Sequence, residues 1–438
     1  MRNTIRSIVH REHGQVLWMF VLLLVVLIGF VGLGVDLGFA YISRARLSKA
    51  VDAACLNGIR NYWQGATAAS TIASNTFFLN YRACGRDVAP PSVNISFVSS
   101  NQNTFLNVQA SVAINTFFIR VLPAIGGAPW RTLTVGDSAQ AIRTKVYLAL
   151  VLDHSGSMDP KHLPTPVGDG CGTGGGTNLP AAVNSFAGYF SDTIDEASVV
   201  SFGSTATVNV PMEQPFKSDV ATAVSNLFWC GGTFSQGGMT NALVQENSVT
   251  IPANQSALQV VVFFTDGLAN MIQDKLNCPA TTVWNFGGED PASTSCPETS
   301  GVFFFSPATA DTCPAQGTGY SCFAADNTTP SCCSVTQFHS NQYGTMESLT
   351  RANVTAEAQY RCIQVAQQMQ QENILVYAIG LGGVDVNMSF LSQVANATNS
   401  PTYNSSLPTG LALLADSPSE LQPYFDQVAQ DILYRLTQ

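Results

Sequence analysis

Val16 to Val35 is a run of 20 residues without a single charge, VLWMFVLLLVVLIGFVGLGV. As a helix it would span about 30 Å, the thickness of a bilayer's hydrocarbon core, so the run commits the chain to one membrane-crossing segment. A cleavable leader would have a shorter apolar region ending in small residues at a cut site. Here the run meets Asp36 and continues in the helix-compatible stretch DLGFAYISRARLSKAVDAACLNGI. A retained single-span anchor is expected: a tail over 1–15, the span over 16–35, and the remainder on the far side.

Flanking charge does not orient the span. Arg2, Arg6 and Arg11 precede it, and Arg44, Arg46 and Lys49 follow it, so the positive-inside count is a tie. The cysteines break the tie. All 11 follow the span, and six of them (Cys278, Cys296, Cys313, Cys322, Cys332, Cys333) crowd into a stretch rich in Gly, Pro, Ser and Thr. A segment of that kind cannot build its own core, and disulfide staples in an oxidising compartment are the expected use. A zinc site is the alternative, but the stretch has no C-x-x-C pair and few histidines. The N-terminus is therefore placed in the cytoplasm and the bulk of the chain outside it.

The rest of the composition excludes other classes. With 19 Lys+Arg against 29 Asp+Glu, a net charge of −10, the chain lacks the basic face of a nucleic-acid binder. Disorder is excluded by 46% hydrophobic residues with sparse charge. The length allows two or three domains with real cores.

After the span, residues 41 to about 85 read as helical, with Cys55 and Cys84 as a plausible local disulfide. Val93–Val98 and Phe105–Val112 alternate with period two, as half-buried strands do. Asn115–Ile125 reads as a short apolar helix, and Leu133–Thr144 alternates again. A small α+β module over 36–140 is expected, as a spacer or assembly surface.

A continuous apolar run, Tyr147–Leu152, then opens the larger domain, taken as 141–438. It suits a parallel strand buried on both faces. Val260–Phe264 and Ile374–Ile379 are runs of the same kind, with helical stretches at Leu179–Tyr189, Gly238–Val249 and Leu349–Gln371. The last helix repeats Leu421, Phe425, Val428, Ile432 and Leu436 on one side. Alternating β and α elements imply a doubly wound parallel sheet.

Oxygen donors gather at the ends of these strands. The first run ends in Asp153-His154-Ser155-Gly156-Ser157, a D-x-S-x-S sequence, and the second in Thr265-Asp266-Gly267. Ligand sites in open α/β sheets lie at this edge. Two carboxylates and two hydroxyls fill part of the six-oxygen shell that a hard dication prefers, and leave a position for an acidic group from a partner. A third piece is a loop threonine. Thr233 stands in Gly231-Gly232-Thr233-Phe234-Ser235, whereas Thr240, in Gly238-Met239-Thr240, falls where the following helix should already have begun. Thr233 is preferred. Ser155 as a hydrolase nucleophile would need G-x-S-x-G, and the first glycine is missing.

Two resemblances follow from these residues. The basic tail with Gly14-Gln15, the apolar run, Val35-Asp36-Leu37-Gly38, Tyr41, Arg44, Leu47 and Ala50-Val51-Asp52-Ala53-Ala54 resemble the N-terminal segment of TadE/TadG-like proteins of the Tad (Flp) pilus assembly system. Relatives cut by a prepilin peptidase carry Glu five residues after the cleavage glycine; Met19 stands there in this chain, so processing after Gly14 is not implied. The D-x-S-x-S, G-x-T and T-D-G pieces, in that order, resemble the metal-ion-dependent adhesion site (MIDAS) of von Willebrand factor A (VWA) domains. That resemblance implies metal ligands at Asp153, Ser155, Ser157, Thr233 and Asp266, a Mg²⁺ ion (or Mn²⁺ or Ca²⁺), and a protein partner offering an acidic residue. It also places Cys171 and Cys230 near the metal face as a possible bridge, and treats about 274–344 as a Cys-rich insertion beside that face, with Cys362 pairing into it. Asp159 is expected as a solvated loop carboxylate, with added negative potential near the metal as the alternative.

The combined expectation is a non-enzymatic envelope protein of the inner membrane, active in pilus assembly or adhesion with Tad machinery components. The alternatives are an assembly subunit whose metal only stabilises the loops, or a hydrolase.

Overall fold

The computed structural model describes residues 15–83, 85–100, 103–118, 131–158, 178–229, 231–252, 257–277, 281–288, 302–305, 334–335, 351–382 and 386–436. The chain divides into two compact units, the first ending at Arg143 and the second running from Thr144 to Leu436.

In the first unit one helix, α1 (Gln15–Arg60), carries the whole apolar run and continues past it without a break. By length and composition it is able to cross a membrane. Its first half is largely bare, with Trp18 72% and Phe30 70% exposed and only Gly32 and Asp36 buried among its described residues, while its second half buries Leu47, Ala50, Val51, Ala54, Cys55 and Ile59. These pack on Ala73 and Phe77 of α2 (Ala66–Asn80) and on Leu106, Val108 and Ala110 of the sheet. Gly58 allows the close approach: a Cβ there would lie 2.6 Å from a Leu106 methyl. The helical region breaks at Gly65, whose φ of +95° only glycine adopts freely. The strands β1 (Ser92–Ser100), β2 (Asn103–Asn115) and β3 (Thr132–Arg143) form one sheet in the order β1-β2-β3. The expected Asn115–Ile125 helix falls mostly outside the described residues, and 116–118 are not helical.

Disulfide pairing of Cys55 does not hold. Cys55 is a free, buried thiol that donates to the Leu106 carbonyl at 3.2 Å. The reason is helical phase: Cys55 lies on the core-facing stripe of α1, between Ala54 and Ile59.

The second unit begins with β4 (Lys145–Asp153), buried at all nine positions. There follow α3 (Leu179–Gly188), β5 (Glu196–Phe202), β6 (Ala206–Glu213), α4 (Lys217–Ser225), α5 (Ser235–Ser248) and β7 (Ala257–Thr265). An antiparallel insertion then comprises β8 (Met271–Asn277), β9 (Thr281–Gly288), β10 (Val302–Phe305) and β11 (Ser334–Val335), in the order β10-β9-β8-β11. The chain closes with α6 (Arg351–Gln371), β12 (Leu375–Leu381), α7 (Met388–Val394), β13 (Ala412–Ala415) and α8 (Leu421–Arg435).

The main sheet has the order β13-β12-β7-β4-β5-β6, parallel throughout except for the antiparallel edge strand β6. Alternate residues of each strand serve opposite faces. Ala149 and Val151 of β4, with Val261 and Phe263 of β7, face α5, α6 and α7 through Met239, Ala358, Ala366, Phe390 and Leu391. On the other face Phe425 of α8 meets the rings of Phe186 at 5.6 Å and Phe264 at 6.0 Å. Helices on both faces of a mostly parallel sheet make this the doubly wound α/β fold.

Two cysteine expectations change here as well. Cys362 is a free thiol, fully buried on the sheet-facing side of α6, so it does not pair into the insertion. Cys84, Cys171, Cys230 and the six clustered cysteines lie outside the described residues or among side chains not described. The insertion, expected from about 274, departs three residues earlier, as β8.

Candidate metal-binding site

Leu152 of β4 stands opposite Phe264 of β7 in parallel register, so Asp153 and Thr265 leave the sheet side by side at its C-terminal edge. Asp153 is completely buried. One carboxylate oxygen accepts the Ser155 backbone N–H at 2.8 Å and the other accepts the Thr265 hydroxyl at 2.6 Å. Beyond it the chain turns through a short 3₁₀ segment, Gly156–Met158, pinned by the buried Met158. That turn sets the Ser155 and Ser157 hydroxyls 3.0 Å apart, and Ser157 donates to Asp266 Oδ1 at 2.8 Å.

Thr233 arrives on a loop held from three sides. Gly231 has φ +83°, and any Cβ on it would run into Ser204. Its carbonyl accepts the Gly156 N–H at 3.0 Å, and the Gly232 N–H donates to Ser204 Oγ at 3.0 Å. The Thr233 N–H donates to Asn270 Oδ1 at 2.7 Å, while its carbonyl accepts the Asn270 and Met271 N–H groups. The Thr233 hydroxyl is thereby brought to the serines: a Cβ placed on Gly267 would lie 3.4 Å from Thr233 Oγ1 and 3.5 Å from Ser157 Oγ. Asp153, Ser155, Ser157 and Asp266 are thus linked by hydrogen bonds, and Thr233 Oγ1 borders the same Gly267 position as Ser157 Oγ. Thr240 does not join them, because α5 begins at Ser235 and Thr240 bonds to the Gln236 carbonyl one turn back on an exposed face.

Three supporting residues were not singled out in the sequence: Thr265, Ser204 and Asn270. Thr265 carried a signal, being part of T-D-G itself. Ser204 and Asn270 carried none, since their roles arise only when distant loops meet.

Both carboxylates sit where charge is disfavoured. Burial raises the Asp153 pKa, partly offset by the Thr265 and Ser155 hydrogen bonds and by His154. Asp266 is raised well above the usual carboxylate range, first by burial and then by the charge of Asp153. A bound dication reverses both effects, so the donor set fits one. Among the described residues no group of three or more His, Cys, Asp and Glu side chains gathers as a metal cluster, so the candidate donors are two carboxylates with neutral hydroxyls. His154 is half-buried with Nδ1 2.7 Å from the Phe228 carbonyl.

Residues 14–61 match the Tad family, Flp pilus-assembly TadE/G-like. Among solved structures, the chain is similar to several pilus and matrix proteins. The vWF domain of the type V pili tip protein Mfa5 from Porphyromonas gingivalis is 14% identical, with a TM-score of 0.39, covering 68% of this chain and 98% of that one. The pilus adhesin SpaC from Lactobacillus rhamnosus GG is 14% identical, with a TM-score of 0.40, over 81% of this chain and 35% of that one. Proximal thread matrix protein 1 from the mussel byssus, with a zinc-occupied MIDAS motif, is 14% identical, with a TM-score of 0.34, over 66% and 46%. The chain thus spans less than half the length of the mussel and SpaC chains. It matches none of the curated proteins.

Proposed function

We propose that this chain is a membrane-anchored, extracytoplasmic binding subunit of a Tad-type pilus system, and that it recognises a protein partner through a divalent cation. Asp153, Ser155, Ser157, Thr233 and Asp266 hold the ion, Mg²⁺ or else Mn²⁺ or Ca²⁺. An acidic side chain of the partner completes the shell. The observation that carries this reading is the meeting of those five side chains at one rim of the parallel sheet, from three separate segments of the chain. Two carboxylates with neutral hydroxyls leave the ion electrophilic, which suits capture of a further carboxylate. The role is binding rather than catalysis: the His154 imidazole is engaged with a backbone carbonyl, and Ser155 faces Ser157 and Asp153. The apolar half of α1 anchors the chain in the inner membrane with the N-terminus cytoplasmic, and Tad machinery components are the expected neighbours.

Titration of the full chain in lipid nanodiscs with Mg²⁺ and Mn²⁺ tests the site. Saturable binding is expected for wild type and none for Asp153→Ala; equal binding by both removes the site as assigned. If chelation lowers thermal stability and leaves partner capture unchanged, the ion is a loop stabiliser and the chain an assembly subunit.

A further inference from the structure

The loop after β2 covers one face of α1 inside the apolar run itself. Gly32, Asp36 and Ala40 recur every fourth residue and are buried, although their neighbours Leu33 and Leu37 are 38% and 53% exposed. Phe118 lies directly on Gly32: a Cβ there would stand 2.5 Å from Phe118 Cβ and Cγ. Gly32 precedes the end of the apolar run by three residues, so Phe118 sits about 4–5 Å inside that end at 1.5 Å per residue.

The backbone of this loop is fitted to an apolar medium. Asp36 Oδ1 accepts the Phe117 N–H at 2.9 Å, and Oδ2 accepts the Phe118 N–H at 2.8 Å. The Asn115 and Thr116 N–H groups go to the Arg86 and Arg131 carbonyls. Four consecutive donors are satisfied within the protein, which removes the cost of those N–H groups at membrane depth. The Asp36 charge is matched by Arg86, whose Nη1 lies 3.5 Å away and whose guanidinium stacks 3.6 Å over the Phe39 ring. What remains turned outward is the Phe117 ring, 54% exposed at the level of the span's outer end.

We infer that the Phe117–Phe118 pair is a second membrane contact, seated in the headgroup–acyl boundary of the outer leaflet beside α1, with Phe117 as a lipid-facing ring. The occupant of this surface is lipid, because the patch is continuous with the apolar face of the span and aromatic rings favour that depth. The inference rests on the reading of α1 as an anchor.

The test is fluorine NMR on the full chain, one copy per nanodisc, with trifluoromethylphenylalanine in place of Phe117, Leu24 or Phe78 in turn. Phe78 is an exposed ring on α2 and serves as the water-facing control. Lipids spin-labelled near the headgroup should broaden the Phe117 signal more than lipids labelled at the chain end, Leu24 should show the reverse, and Phe78 should respond to neither. If the label at 117 behaves like that at 78 while that at 24 is broadened, the loop contact is wrong and the anchor stands. If the label at 24 is also untouched, the anchor fails and the loop contact with it.

Discussion

Asp153 accepts one hydrogen bond at each carboxylate oxygen, which fixes its orientation and leaves each oxygen a lone pair for an ion. A threonine in this position acts through its hydroxyl alone, so Thr233→Ala should weaken Mn²⁺ binding by about tenfold, ~1.4 kcal/mol. Thr240→Ala, only seven positions along, should leave affinity unchanged, and titration of the two variants side by side checks both. Glu246 is a separate matter. It is wholly buried on α5. Burial holds its pKa well above the ordinary 4.5, so the folded state keeps this proton more tightly than the unfolded chain does. Its contribution to stability is therefore fullest below that ordinary value and declines as pH rises toward the folded value. Glu246→Gln removes the ionisation and keeps the shape. The stability difference between variant and wild type, from denaturant unfolding, should grow in the variant's favour from pH 4 to pH 8.

At the level of elements, the strands that could be read were those whose burial left no room for polar residues. The runs at β4, β7 and β12 are apolar on both faces, and a run of that kind has few other places to go. The sequences of β5 and β6 did not stand out. Glu-Ala-Ser-Val-Val-Ser-Phe mixes two buried serines into a central strand, and β6 carries Pro211 at a sheet edge. The insertion hid its strands behind turn-forming residues. In the site, the five donors could be named because each belonged to a short motif, whereas Ser204 and Asn270 act on backbone groups of other segments and have no local pattern. The one-sided stripe of α8 was plain, and its weight can be measured. Phe425 is fully buried between Phe186 and Phe264, so Phe425→Ala should cost about 3–5 kcal/mol in equilibrium unfolding, as large cavities in closed cores do. A smaller loss would mean that α8 collapses onto the sheet to fill the space.

For the molecule as a whole, sequence and structure agree on the broad plan, an apolar helix leading into an α/β fold. They differ on the thiols, because helical phase turned Cys55 and Cys362 inward where no partner could reach them. The anchor reading predicts that the full chain stays in the membrane pellet after alkaline carbonate extraction. A variant lacking residues 1–35 should move to the supernatant, and release of the intact chain would end the proposal of an integral anchor. Helix α1 adds a mechanical consequence. It runs 46 residues from the apolar run into the packed core of the first unit, with no hinge between them. On the anchor reading, tension applied to that core is passed straight down a rod of about 69 Å into the lipid. On that reading the first unit does not swivel on a slack tether; it yields by tilting its whole shaft.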